Sequence, residues 1–127
     1  MKNQIHSINW FEIPVLDFNR AKTFYSTLYA FEMEVMEMGP DKMGILPTDP
    51  EKGGVSGAII FGKDYRPNPD GIKIYLNGDP DLNNILGRVE AAGGKIVQKK
   101  TQITPEIGYM AAFQDTEGNM INFHSHA

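Results

Sequence analysis

The side chains best able to do chemistry lie toward the two ends of this chain. Residues 113–126, FQDTEGNMINFHSH, join a turn to an amide and two imidazoles, and residues 9–15, NWFEIPV, set one acid among apolar neighbours. Successive side chains on a strand point to opposite faces, so Ile121 and Phe123 share one face while Met120, Asn122, His124 and His126 share the other. In the earlier stretch Phe11, Ile13 and Val15 fall together, opposite Ile8, Trp10 and Glu12. A carboxylate and an imidazole turned into one cavity can exchange a proton with a bound molecule. Glu12 would then be the base or acceptor and His124 its acid partner or orienting group. The same two residues would serve equally well as a structural hydrogen bond between strands.

The elements that must position them can be read in order. The first strand covers residues 6–15, and Asp17 is placed as an N-cap whose carboxylate accepts from backbone N–H groups of the next turn. Ala21, Phe24, Tyr25 and Leu28 recur at helical spacing and form the stripe of a helix ending near Ala30. Short strands are expected at 32–38 and 43–46 around Gly39-Pro40, then at 55–61. Residues 62–71 hold two prolines and form a connector, since proline cannot serve a central strand. The plan then starts again. A strand over 72–77 places Ile72, Ile74 and Leu76 on one face and Lys73, Tyr75 and Asn77 on the other. Asp79 is expected to cap a second helix with Pro80 at its first position. Leu82, Ile85, Leu86 and Val89 form its stripe up to Gly93-Gly94. Strands at 95–100, 109–114 and 119–124 follow, the last two joined by a hairpin in which Gly118 takes a positive φ.

Each half is therefore a βαβββ unit, and the fold class is α+β. Two such modules, about 5–62 and about 71–126, make a single domain over 1–127 with a curved mixed sheet around a cleft. If the aliphatic sets face the helices, the cleft receives Trp10 and Glu12, Lys73 and Tyr75, Asn122 and His124, with Ala58 and Ile60 between them. That is an apolar cavity with a few convergent polar groups, the usual make-up of a small-molecule site. Trp10 and Tyr75 can stack on a planar ligand, and Lys73 can meet an anionic group. His6 and His126, near the termini, read as solvated.

The composition narrows the partners. At 127 residues with no cysteine, the chain has no disulfide and no thiol catalysis. A net charge of −4 with no basic cluster argues against a nucleic-acid or anionic-membrane surface. No apolar run approaches the ~20 residues of a membrane span, and the N-terminal stretch lacks the apolar core of a signal peptide. A cytoplasmic protein is expected.

The paired modules, Val15-x-Asp17 leading into Phe24-Tyr25, the Gly-Gly-Lys turn after the second helix and the closing Asp115-x-x-Gly118-Asn119 resemble the vicinal oxygen chelate superfamily. That superfamily includes glyoxalase I, extradiol dioxygenases, fosfomycin resistance enzymes and bleomycin resistance proteins. The chain is most similar to a glyoxalase-like branch whose first strand reads WFEIPV, followed by R-A-x-x-F-Y, and whose last reads GN-x-x-x-x-H-S. Metal-dependent members supply His or Glu from the first and last strands of each module. The positions carried over to this chain hold Trp10, Lys73 and Asn122, and residues 55–61 offer no carboxylate or imidazole. Trp does not ligate, the Lys ammonium repels a cation, and an Asn carbonyl is a weak ligand. The resemblance thus implies a metal-independent protein that binds a small organic molecule, with no cofactor, and a homodimer. The alternatives are a lyase or isomerase using Glu12 and His124, or, ranked last, a divalent-metal glyoxalase or dioxygenase with a displaced metal site.

Overall fold

The computed structural model describes residues 6–127, so the expected start of the first module at about residue 5 lies outside it. The first half supplies β1 (Glu12–Pro14), α1 (Phe18–Tyr29), β2 (Glu34–Met38), β3 (Asp41–Ile45) and β4 (Ala58–Phe61). The second supplies β5 (Tyr75–Asn77), α2 (Asn83–Leu86), α3 (Val89–Ala92), β6 (Lys95–Thr104), β7 (Gly108–Gln114) and β8 (Met120–Ser125). Two four-stranded mixed sheets result, ordered β1-β4-β3-β2 and β5-β8-β7-β6. In each, the first strand runs parallel to the last, Glu12 opposite Ala58 and Tyr75 opposite Asn122, and the other pairings are antiparallel. The repeat of pattern in the sequence is thus a repeat of topology.

α1 packs against α2 and α3. The Asp17 carboxylate accepts from the Arg20 N–H at 3.1 Å, which caps α1 as expected. Ala21, Phe24, Tyr25 and Leu28 are buried. They pack with Ile13 and Val15 of the first half and with Leu82, Val89, Phe113 and Phe123 of the second in one core. The Phe24 and Phe113 rings lie 5.9 Å apart and Phe113 stacks on Phe123 at 4.7 Å, so aromatic packing joins the modules. Full burial of each such side chain stabilises by about 1.5–3 kcal/mol.

Four expectations need correction. The ladder of the first strand is confined to Glu12–Pro14, because its only neighbour, β4, begins at Ala58. β5 is equally short, starting at Tyr75, and Ile72 is 95% exposed instead of joining Ile74 and Leu76 against the core. The second helix is not continuous: it divides into α2 and α3 at Gly87, and Arg88 donates from Nε to the Leu28 carbonyl at 2.8 Å. Asp79 does not cap it. Its carboxylate accepts from the His126 N–H at 2.7 Å, and it is Asp81 that accepts from Asn83 N–H at 3.0 Å. The apolar stripe nevertheless holds, with Leu82, Ile85, Leu86 and Val89 all buried.

The β7–β8 hairpin does more than reverse the chain. Gly118 has φ of +91°, as its place in the turn requires, while Asp115, Glu117 and Asn119 are buried. Glu117 accepts the backbone N–H groups of Leu16 and Asp17, both at 2.8 Å, and two bonds from the Arg20 guanidinium. Asp115 accepts from the Tyr25 hydroxyl at 2.8 Å, and Asn119 donates to the Pro14 carbonyl at 2.8 Å. These bonds fasten the second module to the β1–α1 corner of the first. Burial alone would push the Glu117 carboxyl up. Arg20, the Asp17 and Leu16 N–H groups and the Thr116 hydroxyl outweigh it and hold it down to about 2.

Candidate functional site

β5 lines two of three neighbouring cavities. An open cavity of about 460 Å³ is lined by Tyr75, Leu76, Asn77, His124, Ile103 and Ile107, together with Asp79 and His126. Two more, of about 380 and 470 Å³, share Ile8, Phe11, Ile72 and Ile74 and so form one seam, its smaller part lined by β1 and its larger part by β5. Tyr75, Leu76 and Asn77 line both the first cavity and the larger seam cavity. The walls are mostly aliphatic and aromatic, with few polar groups, and the sizes fit small organic ligands.

Strand parity explains how the polar groups arrive. Ile13, Leu76 and Phe123 turn to the core, so Glu12, Tyr75 and His124 turn away from it. The register sets Asn77 beside His124 across β5 and β8. The His124 ring is anchored, its Nε2 lying 2.7 Å from the Ile107 carbonyl. A carbonyl only accepts, so Nε2–H donates, and among the described residues Nδ1 has no hydrogen-bond partner. Next to it, His126 directs Nδ1 at the Asp79 carboxylate, 3.1 and 3.0 Å from its two oxygens. Burial raises the Asp79 carboxyl, but the His126 N–H, its ring and its charge bring the net shift below the ordinary value.

The residues expected to share one cleft are divided among these spaces. Tyr75 and His124 are brought together. Lys73 lines the larger seam cavity with Tyr75, and Glu12 lines the smaller one with Arg66. No one of the three cavities is lined by both Glu12 and His124. Glu12 is engaged elsewhere: the Trp10 indole donates to it at 3.3 Å, and its charge raises the Tyr65 phenol above the ordinary value. Trp10 and Asn122 line none of the three, and Asn122 is buried with its backbone N–H on the Ile74 carbonyl at 3.0 Å.

Asn77, Ile103, Ile107 and the Asp79–His126 pair were not legible as site residues. His126 shares the parity of His124, which was a signal, but its place near the end of the chain read as solvent. The clasp of Asp115, Glu117 and Asn119 read only as a turn.

A family model described as the Glyoxalase/Bleomycin resistance protein/Dioxygenase superfamily matches residues 7–123. The chain belongs to this superfamily. A glyoxylase-like domain-containing protein from Didymella fabae is 32% identical over 119 residues, covering 88% of each chain. Among solved structures, TnmS3, an antibiotic binding protein from Streptomyces sp. CB03234, superposes with a TM-score of 0.67 at 21% identity, covering 97% of this chain and 98% of that one. A glyoxalase I variant from Zea mays gives 0.71 at 16% identity, covering 94% of this chain and 45% of that one. Superfamily members that use a divalent metal need several oxygen or nitrogen donors around one point. The corresponding positions of this chain do not fit one. Trp10 is a donor to Glu12, Lys73 is a cation, and Asn122 is buried within β8. Among the described residues no group of three or more His, Asp or Glu side chains is arranged to hold a metal ion.

Proposed function

We propose that this superfamily member binds a small organic molecule along β5 and does so without a metal at the positions its metal-dependent relatives use. The observation that carries the reading is that Tyr75–Asn77 lines two cavities, of about 460 and 470 Å³, each large enough for such a ligand. Tyr75 offers a stacking face and a hydroxyl, Asn77 an amide, and His124 an open ring nitrogen. Lys73 supplies a positive charge to the seam, where the Tyr29 phenol, raised by burial, remains a hydroxyl donor. Asn122, opposite Tyr75 in the register, adjoins the site from β8. The likeness to an antibiotic binding protein fits this reading.

Binding ranks above catalysis because an acid–base step using Glu12 and His124 asks for both in one cavity, and within a chain they line different ones. The apolar side chains left exposed on the first sheet, Met36, Met38 and Phe61, support a homodimer, which sedimentation would detect. No helix of the described residues is long and apolar enough to cross a membrane, in keeping with a cytoplasmic location. The test is a thermal-shift screen of aromatic and anionic small molecules, followed by calorimetry and product analysis of the hits. Hits that are returned unchanged and lose affinity in Tyr75→Ala support the reading; stoichiometric product formation would replace it with catalysis.

A further inference from the structure

His124 and His126 stand two residues apart at the end of β8, and their ring centroids are 4.9 Å from each other. Two imidazoles that each place a nitrogen about 2.0–2.1 Å from a shared metal ion have centroids roughly 4.5–5.2 Å apart at angles from square to tetrahedral. The observed spacing falls within that span. Among the described residues, each ring has one nitrogen hydrogen-bonded and the other without a hydrogen-bond partner. His124 gives Nε2–H to the Ile107 carbonyl, and His126 gives Nδ1–H to the Asp79 carboxylate. A backbone carbonyl and a carboxylate are the two partners that ordinarily orient metal-binding histidines and make them more basic. His126 is exposed at the mouth of the cavity, so an ion can reach the pair from solvent.

We propose that His124 and His126 form a two-histidine chelate for a borderline divalent cation such as Zn²⁺, Ni²⁺ or Cu²⁺. His124 Nδ1 and His126 Nε2 are the ligands, Asp79 and the Ile107 carbonyl are the outer partners, and water fills the remaining positions. Imidazole nitrogen suits these ions and not Mg²⁺ or Ca²⁺, which take oxygen. The pair shares His124 and the first cavity with the proposed small-molecule site, so a bound ion and a bound ligand would compete for the His124 nitrogen, and the metal is therefore titrated in the absence of any ligand.

The experiment is calorimetric titration of the tag-free protein at pH 7.5 with ZnCl₂ or NiCl₂ alone, together with NMR of the imidazole carbon-bound protons. The chain has three histidines, so His6→Gln is an internal control. One ion per chain is expected, with the resonances of His124 and His126 shifting and that of His6 unmoved. His124→Gln and His126→Gln should each abolish saturable binding, Asp79→Asn should weaken it roughly tenfold, and His6→Gln should leave it unchanged. Mg²⁺ should give no heat. Absence of saturable binding, binding that survives both His124→Gln and His126→Gln, or binding lost in His6→Gln would overturn the proposal. Circular dichroism of each variant confirms that a loss is not unfolding.

Discussion

Glu117, on the hairpin of the second module, and Arg20, in the first turn of α1, are joined by two hydrogen bonds, Nε to Oε2 at 2.8 Å and Nη2 to Oε1 at 3.0 Å. The carboxylate is fully buried and the guanidinium half exposed, so the acid gives up solvent and is repaid by directed donors. Because the Leu16 and Asp17 N–H groups bind the same carboxylate, this contact fixes where β1 ends and α1 begins.

The pH dependence of stability follows from that carboxylate. Its folded value of about 2 lies below the ordinary Glu value of about 4.3. Its contribution is therefore whole above the ordinary value and is lost as pH falls toward about 2. Glu117→Gln should lower stability at neutral pH by about 2–3 kcal/mol. It should also flatten the decline of the melting temperature between about pH 4.5 and 2. Melts of both proteins across that range check the sign. An unchanged slope would remove Glu117 from this role.

Tyr25 and Asp115 form a buried pair at 2.8 Å, and burial raises both groups, the phenol further under the charge of Asp115. Tyr25→Phe keeps the ring and removes the donor. It should cost about 1–3 kcal/mol, the penalty for leaving a buried acceptor short of a partner, read as a shift in the denaturant midpoint.

Ala30 closes α1 with φ of +54°, a left-handed conformation that a residue with a Cβ adopts at a cost. Ala30→Gly should stabilise the protein by about 0.5–1 kcal/mol, the relief of the Cβ strain exceeding the entropy glycine adds to the unfolded chain. Ala30→Val should destabilise it. Thermal melts of the two variants should move in opposite directions.

In the cavities, Lys73→Gln should weaken anionic ligands that bind along β5 and leave neutral ones unaffected, whereas Tyr75→Ala should weaken both. Calorimetry with a carboxylate ligand and its amide separates the two effects. The same loss for both ligands in Lys73→Gln would remove the charge from the account.

The repeat was legible because it is written in local chemistry. The Asp17 cap, the stripe of Ala21, Phe24, Tyr25 and Leu28, and the alternation through Ile121 and Phe123 each follow from neighbours in sequence. What was not legible depended on distant partners. Asp79 has the residue type of a cap, but His126 claims it through bonds across 47 residues. Ile72 continues an alternating pattern with Ile74 and Leu76, yet the pairing with β8 begins only at the Ile74 carbonyl, which accepts from the Asn122 N–H. The division of Glu12 from His124 depends on how far the two sheets curl toward one another. Parity says which way a side chain turns and carries no information about that curvature.

The central claim is that small molecules bind along β5. The most direct measurement is an amide NMR titration of the protein with hits from the small-molecule screen, assigned residue by residue. The shifted resonances are expected to cluster at residues 72–77 and at His124, Ile103 and Ile107. Shifts confined to the outer strands β2 and β3, or none at saturating ligand, would contradict the claim.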